Sequence, residues 1–202
     1  MPATRERYHH GDLRNALIAA GAKLAEAGGP TAVGVRAAAR EVGVTPTAAY
    51  RHFTNADDLL GAVRLCAFDT LADGLRAELA TVEPTGDAAQ DALRRLSAIG
   101  RAYVRVALAE PGLFRTAFGE EQREPDPPRE TDAAFLMLIQ GLDDLVTTGS
   151  LPAERRPLAE FAAWSAVHGL ARLILDGPLA GMPDDARDAA LERTLDMVGR
   201  GL

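Results

Sequence analysis

The stretch that most constrains this chain is Val35 to Phe53, VRAAAREVGVTPTAAYRHF. Its apolar spacing predicts two short helices, over 35–42 and 46–53, joined by a tight turn at Gly43-Val44-Thr45. Gly43 suits the left-handed conformation that ends a helix, and Val44 plugs the corner. Thr45 is a natural N-cap for the second helix, and Pro46 fits its first position. Two helices joined this tightly make a helix-turn-helix, whose second helix enters a DNA major groove. That helix is too short to stand alone, so Phe53 must anchor it. Thr45, Thr47, Tyr50, Arg51 and His52 crowd more polar chemistry beside the turn than a structural helix needs, and they are assigned to DNA contact. Arg36 lies in the first turn of the preceding helix, where a side chain meets a phosphate. Arg40 reads as part of a solvated face.

The remaining chain repeats the helical period. Helices are expected over 12–27 (Asp12 as N-cap), from the Asn55 cap to about 82, and over 87–110. Others are expected over 113–118, 131–148, 157–175 and 184–198. Gly28-Gly29-Pro30 and Pro111-Gly112 read as stops, and Gly61 and Gly74 as kinks in the long helix after the turn. Residues 119–130, GEEQREPDPPRE, are charged and proline-rich and read as an exposed or disordered loop. No strand-period alternation occurs, so the fold class is all-α with about nine helices. The expected division is a helix-turn-helix head with its N-terminal arm over 1–55, and a helical effector-binding and dimerisation domain over 56–202.

The net charge of −7 argues against a general nucleic-acid coat. It is unevenly spread: residues 1–55 hold seven basic against four acidic side chains, and the rest holds fifteen against twenty-five. A basic head on an acidic body fits contact with DNA at one end. Arg5 and Arg7, in the N-terminal arm, can reach phosphates or a minor groove. His9 and His10 are adjacent and make a poor chelate pair. No metal and no cofactor are expected. The single cysteine, Cys66, excludes an internal disulfide and fits a reducing compartment. With no signal-peptide pattern and no apolar run of about 18 residues, the expectation is a cytoplasmic protein that does not enter membranes.

Tyr103, Phe114, Phe118, Phe135, Phe161 and Trp164, with Met137 and His168, can line an apolar pocket. The expected effector is a small apolar molecule of unknown identity. His168 reads first as a dimer or core hydrogen-bonding residue. No nucleophile–base pair, HExxH, GxSxG or P-loop occurs, so no enzyme is expected.

With these residues in place, positions 12–65 resemble the DNA-binding domain of the tetracycline-repressor (TetR) family of transcriptional regulators. The carrying motifs are GVT at the turn, AAYRHF, and a capped helix beginning NADDLL. YHHGDLRNALIAAG and WSAVHGLARL (Trp164, His168, Gly169) resemble a TetR subgroup named for a Trp-His-Gly pattern. The resemblance implies an Ω-shaped homodimeric repressor. Its first three helices bind double-stranded operator DNA, its fifth to seventh enclose the effector, and its eighth and ninth pair with their copies. Effector binding spreads the two heads and releases the operator. Carried over by position, the DNA contacts fall on Arg36, Thr45, Pro46, Thr47, Ala48, Tyr50 and His52, with Tyr50 and His52 on phosphates. Two positions depart from the family pattern. Ala56 stands where a phosphate-contacting lysine is common, which removes about one unit of salt slope per half-site. Gly34 stands where Ser or Thr often caps the second helix.

Dimerisation also follows from reach, since one short helix spans few base pairs and paired heads read two half-sites. The expected interface is Ala162, Ala166 and Gly169 with Leu191, Leu195 and Val198, which would otherwise be exposed on a lone body. Two alternatives stand beside the ligand-responsive repressor. One is a DNA-binding regulator controlled by a protein partner. The other is an all-α small-molecule carrier or enzyme with a relic head.

Overall fold

The structure is a computed structural model and describes residues 10–119 and 132–201. Arg5, Arg7, the cap role of the Asp12 side chain, and the charged loop beyond Gly119 lie outside what is described. Among the described residues the chain is all-α, with no strand. The helices are α1 (His10–Gly28), α2 (Val35–Val42), α3 (Pro46–Ala49), α4 (Ala56–Leu79), α5 (Ala88–Ala109), α6 (Pro111–Phe118), α7 (Ala133–Thr147), α8 (Ala159–Leu175) and α9 (Asp184–Gly201). None is long and apolar enough to cross a membrane.

Two compact units result: Met1–Ala67 with Pro111–Glu121, and Phe68–Glu110 with Gln122–Leu202. The division falls inside α4 rather than at 55/56, because the first turns of α4 belong to the core of the first unit. Leu59 and Val63 are fully buried there, and a Cβ on Gly21 of α1 would come within 2.6 Å of the Val63 side chain. Leu17, Ala25, Ala38, Ala39, Ala49 and Phe53 complete this core. The small alanines allow α1, α2 and α3 to pack at short range, and burying each larger side chain contributes about 1.5–3 kcal/mol. The α6 helix joins the same unit. A Cβ on Gly112 would lie 2.1 Å from the Ala25 carbonyl oxygen, so only glycine permits this approach to α1. From α4, Arg64 donates to the carbonyls of Ala117 (3.0 Å) and Gly119 (3.2 Å), satisfying acceptors that the end of α6 leaves open.

Several boundaries differ from the sequence expectation. The first helix is already running at His10, so Asp12 lies inside it rather than at its cap. Pro111 opens α6 as well as closing α5, since the first helical position has no use for the N–H that proline lacks. The 35–42 helix is as expected, with Gly34 at its N-cap and no side-chain cap hydrogen bond.

In the second unit, α5, α7, α8 and α9 surround a core of Ala92, Leu96, Leu138, Leu142, Leu145, Leu151, Ala159 and Ala163. Asp87 caps α5 through the N–H groups of Ala89 and Gln90, and Asp132 caps α7 through that of Ala134. The α4 helix runs from Ala56 to Leu79 without a break in assignment at Gly74. A Cβ there would stand 2.3 Å from Val106, so this glycine serves close packing against α5. Leu191 and Leu195 are 4% and 8% exposed within the single chain, and a Cβ on Gly100 of α5 would meet Leu195 at 2.5 Å. Val198 also packs against the core. Leu191 and Leu195 are therefore covered within the single chain rather than left exposed on a lone body, while Val198 is half-buried.

Candidate functional site

Turn geometry builds the first candidate surface. Gly43 has φ +77°, and the N–H of Val44 reaches back to the Ala39 carbonyl at 2.9 Å, closing α2 as the glycine requires. The chain then re-enters a helix at Thr45, whose hydroxyl accepts from the N–H of Ala48 at 3.3 Å. The regular α-helix ends at Ala49 rather than at Phe53, and the segment beyond it tightens. Arg51 donates to Ala48 at 3.3 Å and His52 to Ala49 at 2.9 Å, both with 3₁₀ spacing. Winding still continues to Phe53, which is 0% exposed.

This geometry leaves Thr45, Pro46, Thr47, Tyr50 and Arg51 exposed, with Ala48 and His52 half-buried. Tyr50 shows 41% of its surface, while its neighbour Ala49 is fully buried. Arg36 is exposed in the first turn of α2. All eight belong to the first unit and lie on its helix-turn-helix. Ala56 is exposed at the start of α4 and is followed by Asp57 and Asp58. Asp58 accepts from the Thr54 N–H at 2.9 Å, while Asn55 accepts from the Asp58 N–H at 2.8 Å, which fixes the entry to α4.

The basic side chains here share one property. Arg14, Lys23, Arg36, Arg40 and Arg51 are exposed and form no ion pair with a described residue. Arg14 was not singled out in the sequence. Its guanidinium lies over the Phe53 ring, 5.0 Å from the centroid, a contact that nothing in the local pattern of either residue signals.

A second site lies in the second unit. The Trp164 indole N–H donates to the Tyr103 hydroxyl at 3.1 Å, and that hydroxyl lies 2.8 Å from His168 Nδ1. An indole N–H can only donate, so the tyrosine accepts there; its bond to Nδ1 is donated by the phenol or by the imidazole according to the His168 tautomer. Burial, and secondarily Arg172, hold His168 below its ordinary pKa and so favour the neutral imidazole. Burial drives the Tyr103 hydroxyl well above the usual phenol range, opposed by the Trp164 hydrogen bond and helped by the nearby Asp132 charge. Asp132 is itself raised, chiefly by burial and against its backbone hydrogen bonds.

Phe135 touches both Phe161 and Trp164, with centroids 6.0 and 5.9 Å apart, and Trp164 meets His168 at 5.8 Å. Met137 is half-buried on the same helix as Phe135. The expected aromatic set is therefore split. Phe114 and Phe118 contact each other at 4.9 Å on α6, in the first unit, because the glycine-mediated approach ties α6 to α1. Among the described residues, no group of three His, Cys, Asp or Glu is placed to hold a metal.

On α8, Ala162 is exposed and Ala166 and Gly169 are half-buried. Leu158, Phe161, Ser165 and Leu173 extend this surface along one face, opposite the buried Ala163, Val167, Leu170 and Ile174. Leu158 is 68% exposed at φ +64°, and Met197 of α9 is also exposed. The sequence reading missed Leu158, Leu173 and Met197. The helical spacing of Leu158, Ala162, Gly169 and Leu173 was the available signal.

Residues 17–63 match the sequence profile of bacterial regulatory proteins of the tetR family, and residues 96–198 that of the tetracyclin repressor-like C-terminal domain. No curated protein matches the chain significantly. Among solved structures, the chain is similar to a protein with unknown function from Rhodococcus sp. RHA1. That match has TM-score 0.77 and 27% identity and covers 98% of this chain and 99% of the other. It is also similar in fold to the TetR family transcriptional regulator PfmR from Thermus thermophilus (TM-score 0.60, 22% identity, 92% and 98% covered). A third likeness is to a TetR family transcription regulator from Marinobacter aquaeolei VT8 (TM-score 0.61, 21% identity, 91% and 94% covered).

Proposed function

The chain belongs to the TetR family of DNA-binding transcriptional regulators, and from that premise we propose that it is a ligand-responsive, sequence-specific repressor. It acts as a cytoplasmic homodimer without enzymatic activity, and it leaves its operator when a small apolar effector occupies the second unit. The observation that carries this reading is the exposed polar face of α3. Thr47 projects from α3, and Tyr50 and Arg51 from the turn that continues it, while Ala49 and Phe53 are fixed in a core; Arg36 of α2 is neutralised by no described acid. Base edges are read by hydroxyls and guanidinium groups on such a helix, while exposed cations take the phosphates. His52, Thr45, Pro46 and Ala48 complete the proposed contact set.

The exposed stripe from Leu158 through Ala162 and Gly169 to Leu173 supports a second copy as partner. Its small residues allow close helix approach, and a Cβ on Gly169 would meet nothing within 4 Å. The interface proposed from the structure is thus this stripe with Met197, in place of Leu191, Leu195 and Val198. The effector site proposed is Tyr103, Phe135, Met137, Phe161, Trp164 and His168. Selection of bound duplexes from a random-sequence pool tests the central reading. A two-fold symmetric consensus bound by two chains is expected, and retention of random sequences without a consensus would remove the sequence-specific repressor.

A further inference from the structure

We propose that Arg14 of α1, stacked on Phe53, is a phosphate-binding residue of the DNA interface. The inference rests on the reading of α3 as the DNA-contacting helix.

Phe53 closes the winding that follows α3, its N–H donating to the Ala49 carbonyl at 3.1 Å. Its side chain is fully buried, so the ring is fixed relative to the turn that carries Tyr50 and Arg51. The Arg14 guanidinium lies 5.0 Å from the centroid of that ring. A guanidinium held over an aromatic ring by cation–π attraction still carries five N–H donors for hydrogen bonds elsewhere, in the fork geometry that matches a phosphate. Arg14 is exposed and has no ion-pair partner among the described residues. It forms no ion pair with Asp57 or Asp58 at the entry to α4, where Asp58 accepts from the N–H and hydroxyl of Thr54. A long cation would ordinarily lose much rotamer freedom on binding. Here the aromatic face has already restricted it, so less is lost when a phosphate arrives. Lys23, on the opposite face of the same helix, has charge and exposure but no such support.

The test is the salt dependence of binding to a mixed-sequence DNA duplex and to any selected operator, for wild type, Arg14→Gln, Arg14→Lys and Lys23→Gln. Each phosphate contact contributes about 0.9 to the slope of log K against log salt. Arg14→Gln is expected to lower the slope by about that amount per bound chain on both DNAs. Arg14→Lys keeps the charge and the slope while losing several-fold in affinity, and Lys23→Gln leaves both unchanged. An Arg14→Gln slope equal to that of wild type would overturn the proposal and leave the stack as a cover for Phe53. Wild type showing no salt-dependent binding to either duplex would instead overturn the DNA reading of α3 itself, and Arg14 with it.

Discussion

The two units differ in how far their charges are paired within the chain. In the second, arginine after arginine finds an acid within the chain. Arg101 grips Glu192 through two hydrogen bonds of 2.7 and 2.8 Å, and Arg156 bridges Asp143 and Glu160, both at 2.7 Å. Arg105 meets Glu78, Arg172 meets Asp176, and Arg193 and Arg200 share Asp196. In the first, Arg14, Lys23, Arg36, Arg40 and Arg51 reach no described acid. Polar groups follow the same division. Tyr103, Trp164 and His168 satisfy one another inside the second unit, while Thr47 and Tyr50 point outward from the first. Charges paired internally stabilise a fold, and charges left open are available to a partner that the chain itself does not contain. The uneven charge of the sequence is thus a matter of pairing as well as of number.

Packing provides the largest expected effect and extends the contrast. Gly112→Ala sets a methyl against the backbone carbonyls of Ala25 and Glu26, which cannot turn aside. A loss of about 3 kcal/mol or more in the first unit is expected by urea denaturation. Gly100→Ala, in the second unit, meets only a methyl of Leu195 and should cost about 1–2 kcal/mol. Equal losses would show that α1 and α6 pack more loosely than their geometry implies. Next in size, Tyr103→Phe leaves the Trp164 N–H and His168 Nδ1 without their shared hydroxyl. It should destabilise the second unit by about 1–3 kcal/mol and shift the emission of Trp164, the only tryptophan.

Tyr50→Phe removes one exposed hydroxyl. DNA affinity should fall by about 1 kcal/mol with no change in melting temperature, since nothing in the core depends on that group. Arg101→Ala is the complementary case, expected to lower stability by about 0.5–1 kcal/mol, the range for a partly exposed pair, while DNA binding is unchanged. The smallest effect concerns pH. The depressed pKa of folded His168 means that its contribution is fully present above about pH 6.5, the unfolded value, and is lost as pH falls through the folded value. A thermal melt series should decline from about pH 6.5 downward in wild type and be flatter in His168→Gln.

Much of this was legible in the sequence because it is written locally. Gly43, Thr45 and Pro46 each specify a backbone conformation, and the turn formed where they required it. The split of the aromatic set was not legible, because it depends on Gly112 letting α6 approach α1, a long-range approach without periodic signature. The position of Leu195 was hidden for a related reason. An apolar face on a helix looks the same whether its own chain or a copy covers it, and only the space left by Gly100 decides. Arg14 escaped notice because its partner ring lies 39 positions away in the chain.

The most direct test neutralises two cations in each unit and compares the salt dependence of DNA binding. Arg36→Gln with Arg51→Gln should lower the slope by about two per bound chain, at about 0.9 for each phosphate no longer neutralised, without lowering stability. Arg101→Gln with Arg156→Gln should lower stability and leave the slope at the wild-type value. Equal slopes in both double variants would contradict the claim that the open charges of Arg36 and Arg51 are held for DNA.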